Sequence, residues 1–446
     1  MSAAVPASPP PLDRVVGRAM RRLIPFLLLM YVLAFLDRAN IGFAKAGFQA
    51  DSGLSDAAYA FGAGLFFIGY ALFEIPSNVI MNRVGARIWM FRIMVTWGLI
   101  SAAMMFAHTE TVFYVLRFAL GVAEAGFFPG VMLYLTYWIP AQYRGRATGL
   151  FYFGAPLAFI FGGPLSGALL ELDGLSGMHG WQWMFAVEGL LAVVVGVWAL
   201  WYLEDRPETS RRLADADRAV LVEAMAADER ARASHSPGTL MRALRNPRVL
   251  YLSLVYFCIQ VSVYGVTFFL PTQVAALVGE KVGLVVGLIT AIPWTCAIVA
   301  SFLAGRLSDL TGARRTIAAA TLTVGAAGIA ASAAAGSPVL ALIALCFAAA
   351  GFIAVQPVFW TLPMSLLTGT AAAGGLALVN SLGSLGGFVA PNVKTWADSA
   401  FGSGSAGLYV LAGTTLLGAL LILGIVALGM SGRDAPALTT TAKGVS

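Results

Sequence analysis

Charged residues are scarce in this sequence. They make up 11% of its 446 residues, whereas 59% are hydrophobic, and a typical soluble domain is about 25% charged. So few polar side chains cannot cover the surface of a water-soluble fold of this size. The composition therefore excludes an ordinary soluble enzyme or binding protein, and it indicates that a lipid bilayer surrounds most of the chain.

Metal-ligand patterns and nucleotide-binding loops are also missing. The three cysteines (Cys258, Cys296 and Cys346) fall in apolar runs without metal-ligand spacing, and we interpret them as small packing residues. The three histidines all fall in predicted loops, so we expect neither a metal site nor a histidine relay inside the membrane. No lysine stands between Gly and Ser or Thr, as it does in a phosphate-binding loop. We therefore predict no cofactor, no ATP hydrolysis and no enzyme activity.

What the chain has instead is a set of long apolar runs. A membrane-spanning helix needs about 20 mostly apolar residues. Twelve runs of this kind are present, at 22–42, 59–81, 88–107, 111–138, 146–170, 181–203, 248–274, 282–304, 314–334, 338–367, 372–394 and 405–430. Their continuity favours helices over the short alternating strands of a β-barrel. The sequence thus predicts an all-α integral membrane protein with twelve transmembrane helices.

A polar stretch separates the first six runs from the last six. The predicted parts are a cytoplasmic N-terminal tail, a first six-helix bundle, a cytoplasmic central loop, a second six-helix bundle and a cytoplasmic C-terminal tail: 1–21, 22–203, 204–247, 248–430 and 431–446. The loop carries eight acidic and eight basic residues, and its alanine-rich middle, 213–233, favours a helix. We interpret the loop as a solvated connector rather than as a site for nucleic acid or a protein partner.

Basic residues are distributed unevenly around these runs. If the N-terminus is cytoplasmic, 23 of the 28 Lys and Arg lie in cytoplasmic segments, which is the bias that orients membrane proteins. Lys45, Lys281 and Lys394 then lie on the outer side, while Arg38 and Arg117 lie inside spans. We therefore attribute the net charge of +6 to the basic residues that orient the protein in the membrane, and not to a nucleic-acid-binding surface. We predict a membrane protein with both termini in the cytoplasm.

Two similar basic turns follow the second and the eighth run. They read Asn82-Arg83-Val84-Gly85-Ala86-Arg87 and Asp309-Leu310-Thr311-Gly312-Ala313-Arg314-Arg315. Such repetition indicates two halves related by duplication, with a solute site at the midplane. The second turn, with Gly305 upstream, resembles the cytoplasmic loop signature of the major facilitator superfamily, although Asn82 replaces its acidic residue in the first half. The resemblance implies a gating role for Arg83, Gly85, Arg87, Gly305, Asp309, Gly312, Arg314 and Arg315.

Longer stretches resemble the anion:cation symporter family within this superfamily. They are Leu36-Asp37-Arg38-Ala39-Asn40-Ile41-Gly42-Phe43, Glu74-Ile75-Pro76-Ser77-Asn78, the run from Arg117 to Gly130, and Gly180-Trp181-Gln182-Trp183. The resemblance covers most of the chain. Within the family, the sequence most resembles bacterial tartrate, phthalate and 4-hydroxyphenylacetate permeases. The resemblance implies two six-helix bundles in the major facilitator fold, a location in the bacterial inner membrane and a protein that works as a monomer.

Few ionisable residues fall inside the predicted spans. A charge at a helix centre costs about 2.5–3.5 kcal/mol on insertion scales, so each one is a candidate functional residue, with a buried structural pair as the alternative. Arg117 and Glu124 are seven positions apart and share one helix face, about 10 Å apart, which is too far for a direct ion pair. Asp37 and Arg38 point about 100° apart on their helix and should contact different neighbours.

These charges fit a proton-coupled anion carrier. An arginine stays charged and can bind a carboxylate through two parallel hydrogen bonds, whereas a buried carboxyl can gain or lose a proton. The resemblance implies that Asp37 and Glu124 carry protons and that Arg38 and Arg117 bind the anion. We therefore expect a symporter that imports a small organic anion, such as tartrate, a sugar acid or an aromatic acid, together with protons by alternating access.

Further candidates for the solute site are uncharged. The resemblance places Tyr70 and Asn380 in the cavity lining, while Gln356 and Trp360 are candidates for which ordinary helix packing is an equal alternative. Two more acids fall inside spans but receive no assigned role. Glu74, near Pro76, fits packing, gating or coupling, and Glu188, in span six, fits a structural hydrogen bond.

Two other functions remain open at this point. A proton-coupled exporter or antiporter has the same architecture, although paired arginines favour uptake of carboxylates over efflux of cationic drugs. A membrane solute sensor is a different class, and it is disfavoured because only the central loop and short tails lie outside the apolar runs. The sequence does not predict which acid is carried, the number of protons, the direction in vivo or the oligomeric state.

Overall fold

The computed structural model describes residues 11–233, 245–366 and 371–425, and the regular elements in these ranges are all helices. The predicted C-terminal tail lies outside the described residues, together with 1–10 and 234–244. The α-helices of the first part are α1 (Leu12–Ser52), α2 (Asp56–Val84), α3 (Ala86–Ala103), α4 (Glu110–Glu124), α5 (Phe127–Trp138), α6 (Ala141–Tyr152), α7 (Gly154–Leu170), α8 (Gly180–Tyr202) and α9 (Asp215–Ala233). Those of the second part are α10 (Pro247–Thr267), α11 (Leu270–Val278), α12 (Leu284–Thr311), α13 (Arg314–Ala334), α14 (Pro338–Leu366), α15 (Ala371–Ser384), α16 (Gly386–Phe401) and α17 (Ala406–Gly424).

The described residues contain twelve helical stretches that are long and apolar enough to cross a membrane. This number and the all-helical class confirm the prediction from the apolar runs. The chain forms two compact units, one of Met1–Ser236 with Val282–Gly287 and the other of Pro237–Lys281 with Leu288–Ser446. The first helix begins at Leu12, ten residues before the predicted start of the first run. The helix therefore includes the basic segment ahead of that run.

The fourth span is interrupted where the sequence predicts one continuous run over 111–138. Helix α4 ends at Glu124 and α5 begins at Phe127. Gly126 between them adopts a left-handed conformation with φ of 86°, which costs a residue with a Cβ atom. A Cβ atom on Gly126 would also lie 2.3 Å from Ser77 Oγ. The break therefore depends on glycine, and it makes Glu124 the last residue of α4.

Close helix contacts in the first unit depend on glycines. Gly121 on α4 lies so near α2 that an added Cβ would be 1.9 Å from the Phe66 carbonyl oxygen. Gly98 on α3 and Gly189 on α8 face each other, and an added Cβ on either would lie 2.6 Å from the other's carbonyl oxygen. In a bilayer, helices associate through such close packing because lipid removes the hydrophobic advantage of burial. These contacts fix α4 beside α2 and α8 beside α3.

The central loop contributes α9, which lies within its helix-prone middle. Two ion pairs join α9 to α1 and α6: Arg18 Nη1 lies 2.6 Å from Asp217 Oδ2, and Arg144 Nη2 lies 3.1 Å from Asp228 Oδ2. Ahead of α9, the carboxylate of Glu204 accepts hydrogen bonds from Ser210, Arg22 and the Arg211 backbone. Burial alone would raise the pKa of Glu204, but these hydrogen bonds and the Arg22 charge hold the pKa below its usual value.

Candidate functional site

The central feature of the first unit is an ion pair between α1 and α4. Arg38 Nε donates to Glu124 Oε1 at 2.8 Å, and Nη2 donates to the same oxygen. Glu124 is fully buried, and the Arg38 side chain is only 11% exposed. The position of Glu124 at the end of α4, next to the break in the fourth span, directs its carboxylate toward α1. Two predicted site residues are thus brought into direct contact.

Arg117 is buried but has no ion pair in the described part of the chain. Its Nη2 donates to the Ala63 carbonyl oxygen at 2.9 Å, and its guanidinium carbon lies 5.2 Å from the centre of the Phe66 ring. Its Nε is buried and finds no hydrogen-bond partner among the described residues. The separation of Arg117 and Glu124 predicted from their spacing is consistent with this arrangement. A buried guanidinium with an unused donor is suited to bind an anion.

Asp37 faces a different environment from its neighbour Arg38, as expected from their directions on the helix. Its Oδ1 accepts a hydrogen bond from Asn40 Nδ2 at 3.0 Å and another from the Ser101 hydroxyl on α3. Its Oδ2 is buried and has no hydrogen-bond partner within the described ranges. Asp37 itself is 3% exposed. Polar groups rather than a bonded cation therefore hold this carboxyl.

Aromatic rings surround the Arg38 guanidinium. Its carbon lies 5.0 Å from the ring centres of Phe35 and Tyr70, and 5.3 Å from that of Phe66. Such rings attract a cation through their quadrupole and restrict its position. Tyr70, predicted to line the cavity, is therefore placed beside Arg38.

The two acids without an assigned role are both buried in the first unit. Glu188 on α8 accepts a hydrogen bond at 2.7 Å from Ser166 on α7, which is the kind of contact that the sequence suggests. Glu74 is fully buried on α2, one turn from Tyr70. The described residues contain no group of three or more His, Cys, Asp or Glu side chains that could hold a metal ion.

In the second unit the predicted polar candidates lie on α14 and α15. Gln356 Nε2 donates to Gln260 Oε1 on α10 at 3.0 Å. Trp360 packs edge-on against Tyr256, with ring centres 4.9 Å apart, and its Nε1 is buried without a hydrogen-bond partner in the described portion. Asn380 on α15 is 8% exposed. An amide pair and a tryptophan N–H are thus available here for hydrogen bonding.

The first basic turn contacts an acidic residue that sequence reasoning missed. Gly85 has φ of 99°, and the Arg87 backbone N–H donates to Asp205 Oδ1 at 2.9 Å. A Cβ atom on Gly85 would lie 3.0 Å from the same oxygen. Asp205 thus supplies a carboxylate at the start of α3, near the turn in which Asn82 replaces the acid. In the second turn Gly312 also has a positive φ, 68°. Of the other predicted loop residues, Arg83 lies near the end of α2, Gly305 and Asp309 lie within α12, and Arg314 and Arg315 begin α13.

Lys394, which the charge distribution predicts on the outer side, lies within α16 and is 7% exposed. Its Nζ is 2.7 Å from Asp398 Oδ2 and 4.1 Å from the centre of the Phe269 ring. The Asp carboxylate and the ring together stabilise a cation in this position. The four-residue spacing of Lys394 and Asp398 is the sequence signal that indicates such a pair.

Comparisons with known proteins agree with this architecture. Residues 27–391 match the Major Facilitator Superfamily. The chain is 51% identical to "Inner membrane transport protein RhmT" of Escherichia coli (strain K12), over 92% of this chain and 95% of that protein. It is 45% identical to "Putative tartrate transporter" of Agrobacterium vitis, over 92% of this chain and 91% of that protein. It is also 40% identical to "Quinolone resistance transporter" of Acinetobacter baumannii, over 91% of this chain and 94% of that protein.

A solved structure shows the same fold at low sequence identity. The inward-facing, occupied form of a bacterial homolog of the human lysosomal transporter Spinster matches with a TM-score of 0.74 and 17% identity, over 92% of this chain and 97% of that one. The fold and these relatives define a multi-pass membrane transporter of small solutes, not an enzyme. The chain belongs to the major facilitator superfamily, and the likeness to tartrate-type permeases indicated by its motifs is confirmed.

Proposed function

We propose that this transporter is a proton-coupled symporter that imports a small organic anion into a bacterial cell. It would lie in the inner membrane with both termini in the cytoplasm and work by alternating access as a monomer. The observation that carries the proposal is the set of buried charges in the first unit, namely Arg117 without an ion pair in the described residues beside the paired Arg38 and Glu124.

The Arg38–Glu124 pair gives proton and anion binding a common physical basis. When Glu124 accepts a proton, it no longer balances the Arg38 charge, and the guanidinium becomes available to the carboxylate of the solute. Conversely, a bound carboxylate takes the place of Glu124 as the counter-charge and favours the protonated acid. Asp37 is a second carboxyl that can carry a proton. In this proposal Tyr70, Gln356, Trp360 and Asn380 contact the uncharged part of the solute.

The relatives support a carboxylate as the solute class but leave its direction open. One is named "Putative tartrate transporter", which fits a site with two arginines. Another is named a quinolone resistance transporter, and this name favours export as the second candidate function. Because the membrane potential already drives anions out of a cell, an anion exporter needs proton coupling less than an importer does.

Uptake into proteoliposomes tests the proposal. Labelled tartrate, phthalate, 4-hydroxyphenylacetate and a sugar acid are offered with an inward proton gradient. We expect one of them to accumulate, and Glu124→Gln should abolish accumulation while preserving counterflow, since counterflow needs no net proton movement. Arg117→Ala should abolish both by removing the anion-binding charge.

Glu110→Gln is the matched control. Because Glu110 is exposed at the start of α4, this substitution should leave both accumulation and counterflow unchanged. Accumulation driven by an outward proton gradient would favour the exporter. If no acid moves, or if the gradient has no effect, the proton-coupled anion mechanism is wrong.

A further inference from the structure

Two arginine side chains meet where α1 and α8 reach the same end of the first unit. Arg22 is the first residue of the first apolar run, and Tyr202 is the last residue of α8. Arg22 Nη2 and Arg212 Nη1 each donate to the carbonyl oxygen of Tyr202 at 3.4 Å. The Tyr202 hydroxyl in turn donates to the Arg22 carbonyl oxygen at 2.8 Å. The two guanidinium groups therefore lie side by side.

The charges of these two arginines are not balanced. Arg22 pairs with Glu204, whose Oε2 lies 3.1 Å from Arg22 Nη2, while Arg22 Nη1 has no hydrogen-bond partner in the described ranges. Arg212 is exposed. Its hydrogen bonds in the described part of the chain all go to backbone oxygens, those of Trp201 and Tyr202. These contacts cap the last turn of α8, but they leave a full positive charge and further N–H donors available to an anion.

Aromatic rings lie directly beside the two arginines. The guanidinium carbons of Arg22 and Arg212 are 5.9 and 5.7 Å from the centre of the Tyr202 ring, and such rings attract a neighbouring cation. Phe26 stacks on the same ring with centres 4.3 Å apart, and it meets Trp198 edge-on at 5.1 Å. Side chains of α1 and α8 thus form one aromatic cluster that adjoins the arginine pair.

Part of the surface next to this pair faces the membrane. Trp198 and Trp201 lie three residues apart on α8 and are 47% and 64% exposed. Helix α8 is long and apolar enough to span a membrane, so its exposed apolar side chains contact lipid. Tryptophan is enriched at the level of the headgroups, because its ring is apolar and its N–H is polar. The arginines beside these tryptophans therefore lie at the depth of the phospholipid headgroups.

We propose that Arg22 and Arg212 bind the anionic headgroup of a phospholipid. The phosphate accepts hydrogen bonds from the unused guanidinium donors, and the acyl chains lie along the exposed rings of Trp198 and Trp201. The phosphate supplies the negative charge that Glu204 alone does not provide for two adjacent cations. Because Arg212 belongs to the central loop, the bound lipid holds the beginning of that loop at the membrane surface. This inference needs only a membrane-spanning chain, so it can fail or succeed independently of the proposed proton coupling.

Native mass spectrometry of the full chain in a neutral detergent tests the proposal by measuring lipid binding. Phosphatidylglycerol carries a net negative charge and phosphatidylcholine does not, so the wild type should bind phosphatidylglycerol more tightly. We expect Arg212→Gln to weaken phosphatidylglycerol binding about fivefold, the scale on which one basic residue contributes at an anionic membrane surface, and to leave phosphatidylcholine binding unchanged. Arg230→Gln is the matched control and should bind like the wild type. Arg230 is also exposed and donates to a backbone oxygen, that of Ala226, but it lies on α9.

Equal binding of the two lipids by the wild type, or equal effects of Arg212→Gln and Arg230→Gln, would overturn the inference. If inorganic phosphate displaces phosphatidylglycerol more than sodium chloride does at the same ionic strength, the arginines bind a soluble anion and not a lipid. Should Arg212→Gln fail to fold, a photoactivatable phosphatidylglycerol analogue decides on the wild type. Labelling of peptides between Trp198 and Arg212 supports the site, and labelling only elsewhere contradicts it.

Discussion

At the scale of single residues, the choice of partners depends on helices that are distant in sequence. The spacing of Arg117 and Glu124 on one helix correctly excludes a direct pair. It does not identify Arg38 as the partner of Glu124, because that contact crosses from α1 to α4 over 86 positions. Likewise the adjacent Asp37 and Arg38 point to different neighbours, but their identities come only from the arrangement of the bundle.

Lys394 provides a prediction at this scale. Asp398→Asn removes the carboxylate that balances a buried ammonium group, and we expect it to lower the free energy of unfolding by about 2 kcal/mol. This is less than for a fully buried pair, since the Asp398 side chain is 22% exposed. Thermal unfolding in detergent measures the effect. The double variant Lys394→Met/Asp398→Asn should regain most of the loss, and a double variant as unstable as the single one would contradict the charge argument.

At the scale of helices, composition predicts which segments span the membrane but not where a span is interrupted. The run over 111–138 is apolar throughout, yet Gly126 divides it into two helices. The interruption leaves backbone groups near the end of α4 without helical partners, and Arg92 donates to the Ala123 carbonyl oxygen there at 3.3 Å. A glycine within an apolar run fits both a break and close packing, so only the surrounding helices decide between them.

Gly121 gives the prediction for helix packing. Gly121→Ala places a methyl group 1.9 Å from the Phe66 carbonyl oxygen, so α4 must move away from α2. We expect destabilisation of about 2–3 kcal/mol and loss of anion binding, because Arg117 and Glu124 move with α4. Unfolding in detergent and solute binding are the measurements. Gly145→Ala on α6 is the control, since an added Cβ there meets nothing within 4 Å; equal effects of the two changes would refute the packing argument.

At the scale of the whole molecule, the number of protons carried with each anion sets the net charge that crosses the membrane in one transport cycle. If Asp37 and Glu124 each deliver one proton with a monovalent anion, each cycle moves one positive charge inward. A potential of about 100 mV, negative inside, then adds about 2.3 kcal/mol, which corresponds to about 50-fold more accumulation.

Potassium diffusion potentials in proteoliposomes test this expectation. Wild-type uptake should increase with a negative interior potential, and Asp37→Asn, with one proton fewer, should lose that increase while still responding to the pH gradient. Wild-type uptake that is indifferent to the potential would exclude the second proton.

The sequence by itself determined the helical membrane class, the twelve spans and the family. These follow from composition, run length and short motifs, which are local properties of the sequence. In a bilayer an apolar run forms a helix because its backbone groups must hydrogen-bond to one another. Only the tertiary structure decided that Arg38 pairs with Glu124, that Arg117 has an unused donor, that Ser101 on α3 donates to Asp37, and that Lys394 is buried against Asp398. Each of these contacts depends on the distance between helices, which glycines such as Gly121 set through close packing and which no local pattern records.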